Sequence, residues 1–152
     1  MRINWYKSSP EDYNAMKGFE IVAEQSKLEP LLKELVRIRA SQINGCAYCL
    51  DMHTKDARAL GENEQRIYLL AAWRETSLYT PRERAALAWC ESLTLVSQTG
   101  APDDIYAELE RLFDSEDIIA LTLTIVAINS WNRLMLGFKV EMRNYVSRKR
   151  PL

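Results

Sequence analysis

The sequence has few of the residues that metal-binding and nucleic-acid-binding proteins use. It contains one histidine and three cysteines in 152 residues, so a closed zinc site of four such ligands would need all of them. Its 20 basic residues almost balance its 21 acidic residues, leaving a formal net charge of −1. Nucleic-acid binders usually show a basic excess, so we expect no nucleic-acid partner. The one concentrated basic stretch, residues 143–150 with Arg148-Lys149-Arg150, is interpreted as a solvated tail.

A secretory leader and a long hydrophobic run are also missing. Residues 1–7 contain no apolar core followed by a small-residue cleavage site. The most apolar run, Ile118 to Ile128, has eleven residues, which is shorter than the roughly 20 needed to span a bilayer. We therefore expect a soluble cytoplasmic protein with no membrane partner. In that compartment a lone CxxC pair is more often catalytic or metal-binding than a structural disulfide.

The sequence shows no internal repeat and no alternating strand pattern, and its capping residues are those of helices. Thr80-Pro81-Arg82-Glu83 is a capping box with proline at the first helical position. Apolar residues recur at three-to-four spacing after each predicted start. We predict one all-α domain of six to eight helices. The predicted helices begin at Ser9-Pro10, Pro30, Cys46, Asn63, Thr80, near Ile105 and after Asp114.

One stretch, residues 44–53, concentrates the chemistry. It contains Cys46, Cys49 and the only histidine, His53. These residues share a predicted helix stripe with Leu50, Ala57 and Leu60, so we expect the thiols and the imidazole to point inward. A helix N-terminus stabilises a thiolate at Cys46, and His53 lies four residues after Cys49, where it can accept a proton.

The residues alone leave three interpretations of this stretch open. The cysteines are redox-active, or they are small buried core residues, or they bind zinc with His53 and with Cys90 as a fourth ligand from another helix. Cys90 itself is predicted to be a core residue. Glu34, on the preceding helix, either orients His53 or forms a surface ion pair with Arg37; spacing alone favours the ion pair.

With these residues identified, the chain resembles the alkylhydroperoxidase D-like branch of the carboxymuconolactone decarboxylase superfamily. The resemblance runs from Glu34 through Asn-Gly-Cys-Ala-Tyr-Cys-Leu-Asp-Met-His53, then through Trp73-Arg74-Glu75, residues 83–88 and residues 128–133. It implies an all-α, AhpD-like helical fold that assembles as a homo-oligomer, a trimer or hexamer. It also implies a proton relay in which Glu34 acts on His53, with Cys46 and Cys49 as a redox-active disulfide pair. No cofactor is implied.

The function implied by the resemblance is that of a thiol-dependent peroxidase or antioxidant disulfide oxidoreductase. We expect His53 to deprotonate Cys49, which attacks a small hydroperoxide, and Cys46 to close a disulfide that an external dithiol or redox protein reduces. Family members reduced by a lipoylated partner carry a second histidine where this chain has Tyr48, so the reductant is not fixed. The alternatives are a non-redox decarboxylase-type enzyme and a metal-binding or oligomeric interaction domain.

Overall fold

The computed structural model describes residues 1–142 and 144–151, and all regular secondary structure within them is helical. The helices are α1 Trp5–Ser8, α2 Pro10–Glu24, α3 Pro30–Asn44, α4 Ala47–Ala59, α5 Glu64–Leu69, α6 Pro81–Thr94, α7 Val96–Thr99, α8 Asp103–Glu110 and α9 Ser115–Gly137. A 3-10 helix, Leu70–Glu75, continues α5. The all-α prediction is confirmed, and the seven α-helices of six or more residues in the described part of the chain correspond to the seven predicted.

The helix boundaries follow from a few local residues. Thr80 and Glu83 form the predicted capping box at the start of α6, with Pro81 in the first turn. Gly45 ends α3 at a φ of +69°, a left-handed conformation that a glycine adopts without steric cost. Ser9 occupies the cap position of α2, but its hydroxyl donates to Asp12 rather than accepting from the helix backbone.

Helix α3 lies at the centre of the fold, where it packs against α4, α6 and α9. Leu32 and Val36 belong to one apolar cluster, and Leu35 and Ile38 belong to a second. The helix therefore has apolar residues on two sides. Between them runs a buried polar stripe at the i, i+3 and i+7 positions, and it contacts α2, α4 and α9: Glu34, Arg37 and Ser41.

Helix α9 is 23 residues long, so the apolar run of eleven residues is only part of it. By length and composition alone it could cross a membrane, with a mean hydropathy of 1.4 over its most apolar 18 residues. Its packing is that of a core helix. Asn129 donates to Thr94 of α6, and Asn132 donates to Ser41 of α3, so its polar side chains are satisfied by neighbouring helices.

The C-terminal segment, residues 144–151, folds back onto α4 and α2. Tyr145 and Ser147 both donate to Asp56, and Lys149 forms an ion pair with Glu24 at 2.5 Å. The interpretation of residues 143–150 as a solvated tail was wrong for this part of the chain, because the buried Asp56 and the partly exposed Glu24 bind it. Arg148 and Arg150 are exposed, and Arg143 lies outside the described residues.

A candidate thiol redox site

The turn between α3 and α4 brings the two sulfurs together. Gly45 reverses the chain, and Cys46 then caps α4 in extended conformation. The Cys49 backbone N–H donates to Cys46 Sγ at 3.4 Å, and the two Sγ atoms lie 2.7 Å apart. Both cysteines are free thiols and both are buried, as the helical stripe predicted. A disulfide needs ~2.05 Å between its sulfurs, so only a small approach is required to form one.

The two thiols differ in proton affinity. The Cys49 S–H donates to Cys46, and this hydrogen bond, aided by the Cys49 backbone N–H, lowers the pKa of Cys46 to about 7 although burial opposes it. The same hydrogen bond, together with burial and the Cys46 charge, raises the pKa of Cys49. At neutral pH the pair therefore holds its negative charge mainly on Cys46 and its proton on Cys49.

His53 follows Cys49 by one helical turn and is held by Glu34. His53 Nδ1 donates to Glu34 Oε2 at 2.8 Å, which leaves Nε2 to exchange a proton. Glu34 also binds Arg37 at 2.8 Å, but the pair is fully buried. The ion pair that spacing alone favoured is therefore present but buried, and its predicted surface position is wrong: Glu34 binds the arginine and the histidine simultaneously.

Cations surround the carboxylate of Glu34. Arg37 lies between Glu34, Glu20 and Glu24, and contacts the last two at 2.7 and 2.8 Å. Lys149 approaches Glu34 Oε1 to 3.3 Å. Burial alone would raise the pKa of Glu34, but His53, Arg37 and Lys149 lower it to about 2. Glu34 is thus a carboxylate throughout the physiological pH range, suited to orienting an imidazole.

A buried amide network lies between α3 and α9 beside the thiols. Asn44 donates to both Asn129 and Asn132, at 3.0 and 2.9 Å, and Asn132 donates to Ser41 at 3.0 Å. Hydrogen bonding by Asn132 also lowers the pKa of Cys46 and opposes the rise at Cys49. The network therefore fixes a thiolate-stabilising amide in position.

The ligand geometry does not favour the zinc interpretation. Among the described residues, the sulfurs do not gather with His53 into a ligand cluster; Cys90 instead donates to the Val36 carbonyl in the core. The group that does converge is Glu34, His53 and Asp56, whose ligand atoms lie within 4.8 Å of one another. Arg37 and Lys149 already supply positive charge to the Glu34 carboxylate, and the hydroxyls of Tyr145 and Ser147 already donate to Asp56.

A cavity of about 230 Å³ opens onto this centre. Cys49 and His53 line it, whereas Cys46 does not. Aromatic and aliphatic side chains form most of the wall, with two charged residues from α2. The remaining lining residues are Tyr6, Tyr13, Lys17, Glu20, Tyr48, Met52, Trp131 and Met135. The cavity accepts a small, partly apolar molecule next to the Cys49 sulfur.

The structure brings together the four residues predicted from the sequence and adds three neighbours that the sequence did not indicate. Arg37 was predicted to lie at the surface and Lys149 to be solvated, whereas both bind Glu34, and Asp56 lies beside His53. Asp56 follows His53 by three residues on the inward stripe, so helical phasing could have identified it. Asn132, within residues 128–133 of the family resemblance, hydrogen-bonds beside Cys46. Trp73 and Arg74, which also carry the resemblance, lie elsewhere and bind Glu91.

Comparison with known proteins gives a consistent result. The sequence model of the carboxymuconolactone decarboxylase family matches residues 10–92. The uncharacterized protein YdfG of Bacillus subtilis is 44% identical over 136 residues, which cover 90% of this chain and 92% of YdfG.

Solved structures share the fold. A protein of unknown function from Agrobacterium tumefaciens, provisionally assigned as the antioxidant defence protein AhpD, superposes with a TM-score of 0.91 at 44% identity, covering 95% of this chain and 99% of that one. The debrominase Bmp8 superposes with a TM-score of 0.81 at 21% identity, over 91% of this chain and 74% of its own, and shows the fold alone. The chain thus belongs to the carboxymuconolactone decarboxylase family, as an alkylhydroperoxidase D-like member.

Proposed function

We propose that this protein is a thiol-dependent peroxidase that reduces small organic hydroperoxides in the cytoplasm, using Cys49 and Cys46 as a redox-active pair. One observation carries the proposal. Cys49 faces the cavity while touching Cys46 on one side, and it shares that cavity with an imidazole whose other nitrogen is held by a buried carboxylate. A core thiol needs none of these contacts.

The reaction begins with a proton transfer and a two-electron oxidation. His53 Nε2 takes the Cys49 proton, and the thiolate attacks the terminal oxygen of the hydroperoxide. The O–O bond breaks, the Cys49 sulfur is oxidised to a sulfenic acid, and the alkoxide leaves with the proton from His53 as an alcohol. Glu34 stabilises the imidazolium while it exists.

The second step closes the disulfide. The Cys46 thiolate attacks the Cys49 sulfur, the S–S bond forms, and the displaced hydroxide takes a proton from solvent to become water. An external dithiol or a redox protein then supplies two electrons and two protons to restore both thiols. The low pKa of Cys46 suits this role, because Cys46 needs no base when it attacks.

Access to the substrate distinguishes the two cysteines. Cys46 is the better thiolate, yet Cys49 lines the cavity. A hydroperoxide in the cavity therefore meets the Cys49 sulfur first. We assign the attack on peroxide to Cys49 and the resolving step to Cys46.

Assembly and the electron donor belong to the same proposal. Ile119 and Val126 of α9 are 61% and 43% exposed, an apolar surface that a second copy of the chain would cover. We expect a homo-oligomer, a trimer or hexamer. Tyr48 lines the cavity beside Cys49. A reductant that reaches the disulfide through the cavity would therefore contact Tyr48.

The test is a thiol count after one equivalent of cumene hydroperoxide, made under denaturing conditions. The chain has three thiols, and we expect one to remain in the wild type, namely Cys90. In Cys46→Ser, dimedone should label a sulfenic acid on Cys49. Cys90→Ala serves as the matched control and should lose both of its remaining thiols.

The outcomes separate the rival functions. An unchanged thiol count would overturn the peroxidase proposal. If dimedone labels Cys46 in the Cys49→Ser variant but does not label Cys49 in the Cys46→Ser variant, the roles of the two cysteines are reversed. The redox-active pair itself would stand. Unaltered turnover of a hydroperoxide by the Cys46→Ser, Cys49→Ser double variant would indicate chemistry that does not use the thiols.

A further inference from the structure

We propose that Lys149 is a positioning residue of the Glu34–His53 pair and that the C-terminal segment holds it beside Glu34. The proposal rests on the peroxidase function for its catalytic consequence, but the contact on which it depends is a separate observation. Lys149 Nζ lies 3.3 Å from Glu34 Oε1 and 2.5 Å from Glu24 Oε1. The segment lies outside residues 10–92, which the family model matches.

The segment is held on both sides of Glu34. Tyr145 donates to Asp56 Oδ1 at 2.8 Å, and Ser147 donates to the same oxygen at 2.5 Å. The Ser147 hydroxyl also accepts from the Lys149 backbone N–H at 3.1 Å, which turns the chain so that the lysine points inward. Asp56 is itself buried and lies on α4 three residues after His53. Along the segment, the contacts with α4 thus come before the residue that contacts Glu34.

The two oxygens of Glu34 have different partners. Oε2 accepts from the imidazole, while Oε1 accepts from Arg37 and faces Lys149. Arg37 is shared with Glu20 and Glu24, so it does not neutralise Glu34 by itself. The charged and titratable groups around the carboxylate are Arg37 and Lys33 of α3, His53 and Asp56 of α4, Glu20 and Glu24 of α2, and Tyr145 and Lys149 of the segment.

Lys149 therefore limits how strongly Glu34 holds a proton on the imidazole. Removing its charge leaves the carboxylate more negative toward His53, which stabilises the imidazolium. In that variant the imidazole gives up its proton only at higher pH. Less neutral imidazole is then available at neutral pH to accept the Cys49 proton.

The experiment compares Lys149→Met, Lys149→Arg and Arg148→Met with the wild type. His53 is the only histidine, so its ring proton signals can be followed by NMR without ambiguity. In Lys149→Met the midpoint of this titration should move up by about half a pH unit. The acid limb of the pH–rate profile for hydroperoxide should move with it, a loss of about threefold below the midpoint that disappears on the alkaline plateau.

The two matched variants test whether the positive charge at position 149 is responsible for the effect. Lys149→Arg keeps the charge and should restore both the midpoint and the rate. Arg148 is exposed, so Arg148→Met removes a neighbouring charge and should change neither measurement.

Each result leads to one conclusion. A wild-type midpoint in Lys149→Met would overturn the positioning role, even if the protein turns over hydroperoxide. A moved midpoint in a protein without hydroperoxide turnover would keep the positioning role and overturn the peroxidase proposal. A rate loss that is equal at every pH, with no change in the midpoint, would show that the segment supports the fold and nothing more.

Discussion

Two regions of the molecule hold buried thiols, and the thiols of the two regions differ in their pKa values and in their hydrogen bonds. Cys46 and Cys49 are 1% and 3% exposed, and Cys90 is 0% exposed. Yet the pKa of Cys46 is lowered to about 7, by its hydrogen bond from Cys49, while burial raises the pKa of Cys90 to about 12. Burial by itself therefore does not decide whether a thiol ionises near neutral pH.

The difference lies in how burial and hydrogen bonds balance at each sulfur. Cys46 caps α4 and receives the Cys49 backbone N–H and the Cys49 S–H, and these hydrogen bonds outweigh its burial. Cys90 lies inside α6, where its S–H donates to the Val36 carbonyl, and its burial outweighs the hydrogen bonds with Thr94 and Ala40 that lower its pKa. Cys46 is therefore stabilised as a thiolate, and Cys90 is kept as a thiol.

The largest predicted effect is the loss of activity when a thiol is removed from one region rather than from the other. Cys49→Ser should lower turnover of an organic hydroperoxide, with dithiothreitol as electron donor, by about a thousandfold or more, because it removes the nucleophile. Cys90→Ala should retain turnover within about twofold of the wild type, since that sulfur lies outside the cavity. The measurement is steady-state loss of peroxide. Comparable losses in the two variants would refute the functional distinction between the regions.

Glu34→Gln tests whether the relay, rather than the sulfur pair alone, supports activity. The amide cannot stabilise an imidazolium as the carboxylate does, so we expect turnover to fall about 100-fold. The variant also leaves the buried Arg37 without one of its partners, so thermal unfolding should be recorded beside the rate. Glu24→Gln is the matched control, because it loses a carboxylate bound to Arg37 and Lys149 but not to His53. Equal rate losses in both variants would assign the effect to the salt-bridge cluster.

The pH dependence of the thiols gives a smaller effect with a defined sign. The pKa of Cys46 in the folded protein is about 7, below the ordinary value of 9.0. Its ionisation therefore stabilises the fold above pH 9, and this contribution is lost as pH falls through 7. Thiolate absorbance at 240 nm should rise near pH 7 in the wild type and not in Cys46→Ser. The stability difference between the two proteins should grow from pH 7 to 9; a constant difference would contradict the assignment.

The sequence predicted the helices, and the common face of the two cysteines and the histidine, where local chemistry decides them. The capping box at Thr80, the glycine at position 45 and the stripe through Cys46, Cys49 and His53 depend on neighbours within a few residues. These features follow from periodicity and capping rules. The pairing of Glu34 with His53 came from the family resemblance instead.

What the sequence could not provide was the arrangement between distant segments. Arg37 looked like half of a surface pair because its other partners, Glu20 and Glu24, belong to another helix. Lys149 looked solvated because it lies 115 residues after Glu34, with which it forms an ion pair. Buried ion clusters form only where packing places both charges out of water, and that depends on the tertiary fold.

The smallest predicted effect concerns the amide network between α3 and α9 beside Cys46. Asn132 lowers the pKa of Cys46, so Asn132→Ala should raise the pH at which thiolate absorbance appears, by about half a unit. Asn129→Ala is the matched control on the same helix: it also removes a buried amide bonded to Asn44, but no hydrogen bond from Asn129 reaches the sulfurs among those described. An equal rise in both variants would mean that the network acts through general packing. A rise in Asn132→Ala alone would show that the thiolate is tuned by a donor from α9, an element that Cys90 does not use.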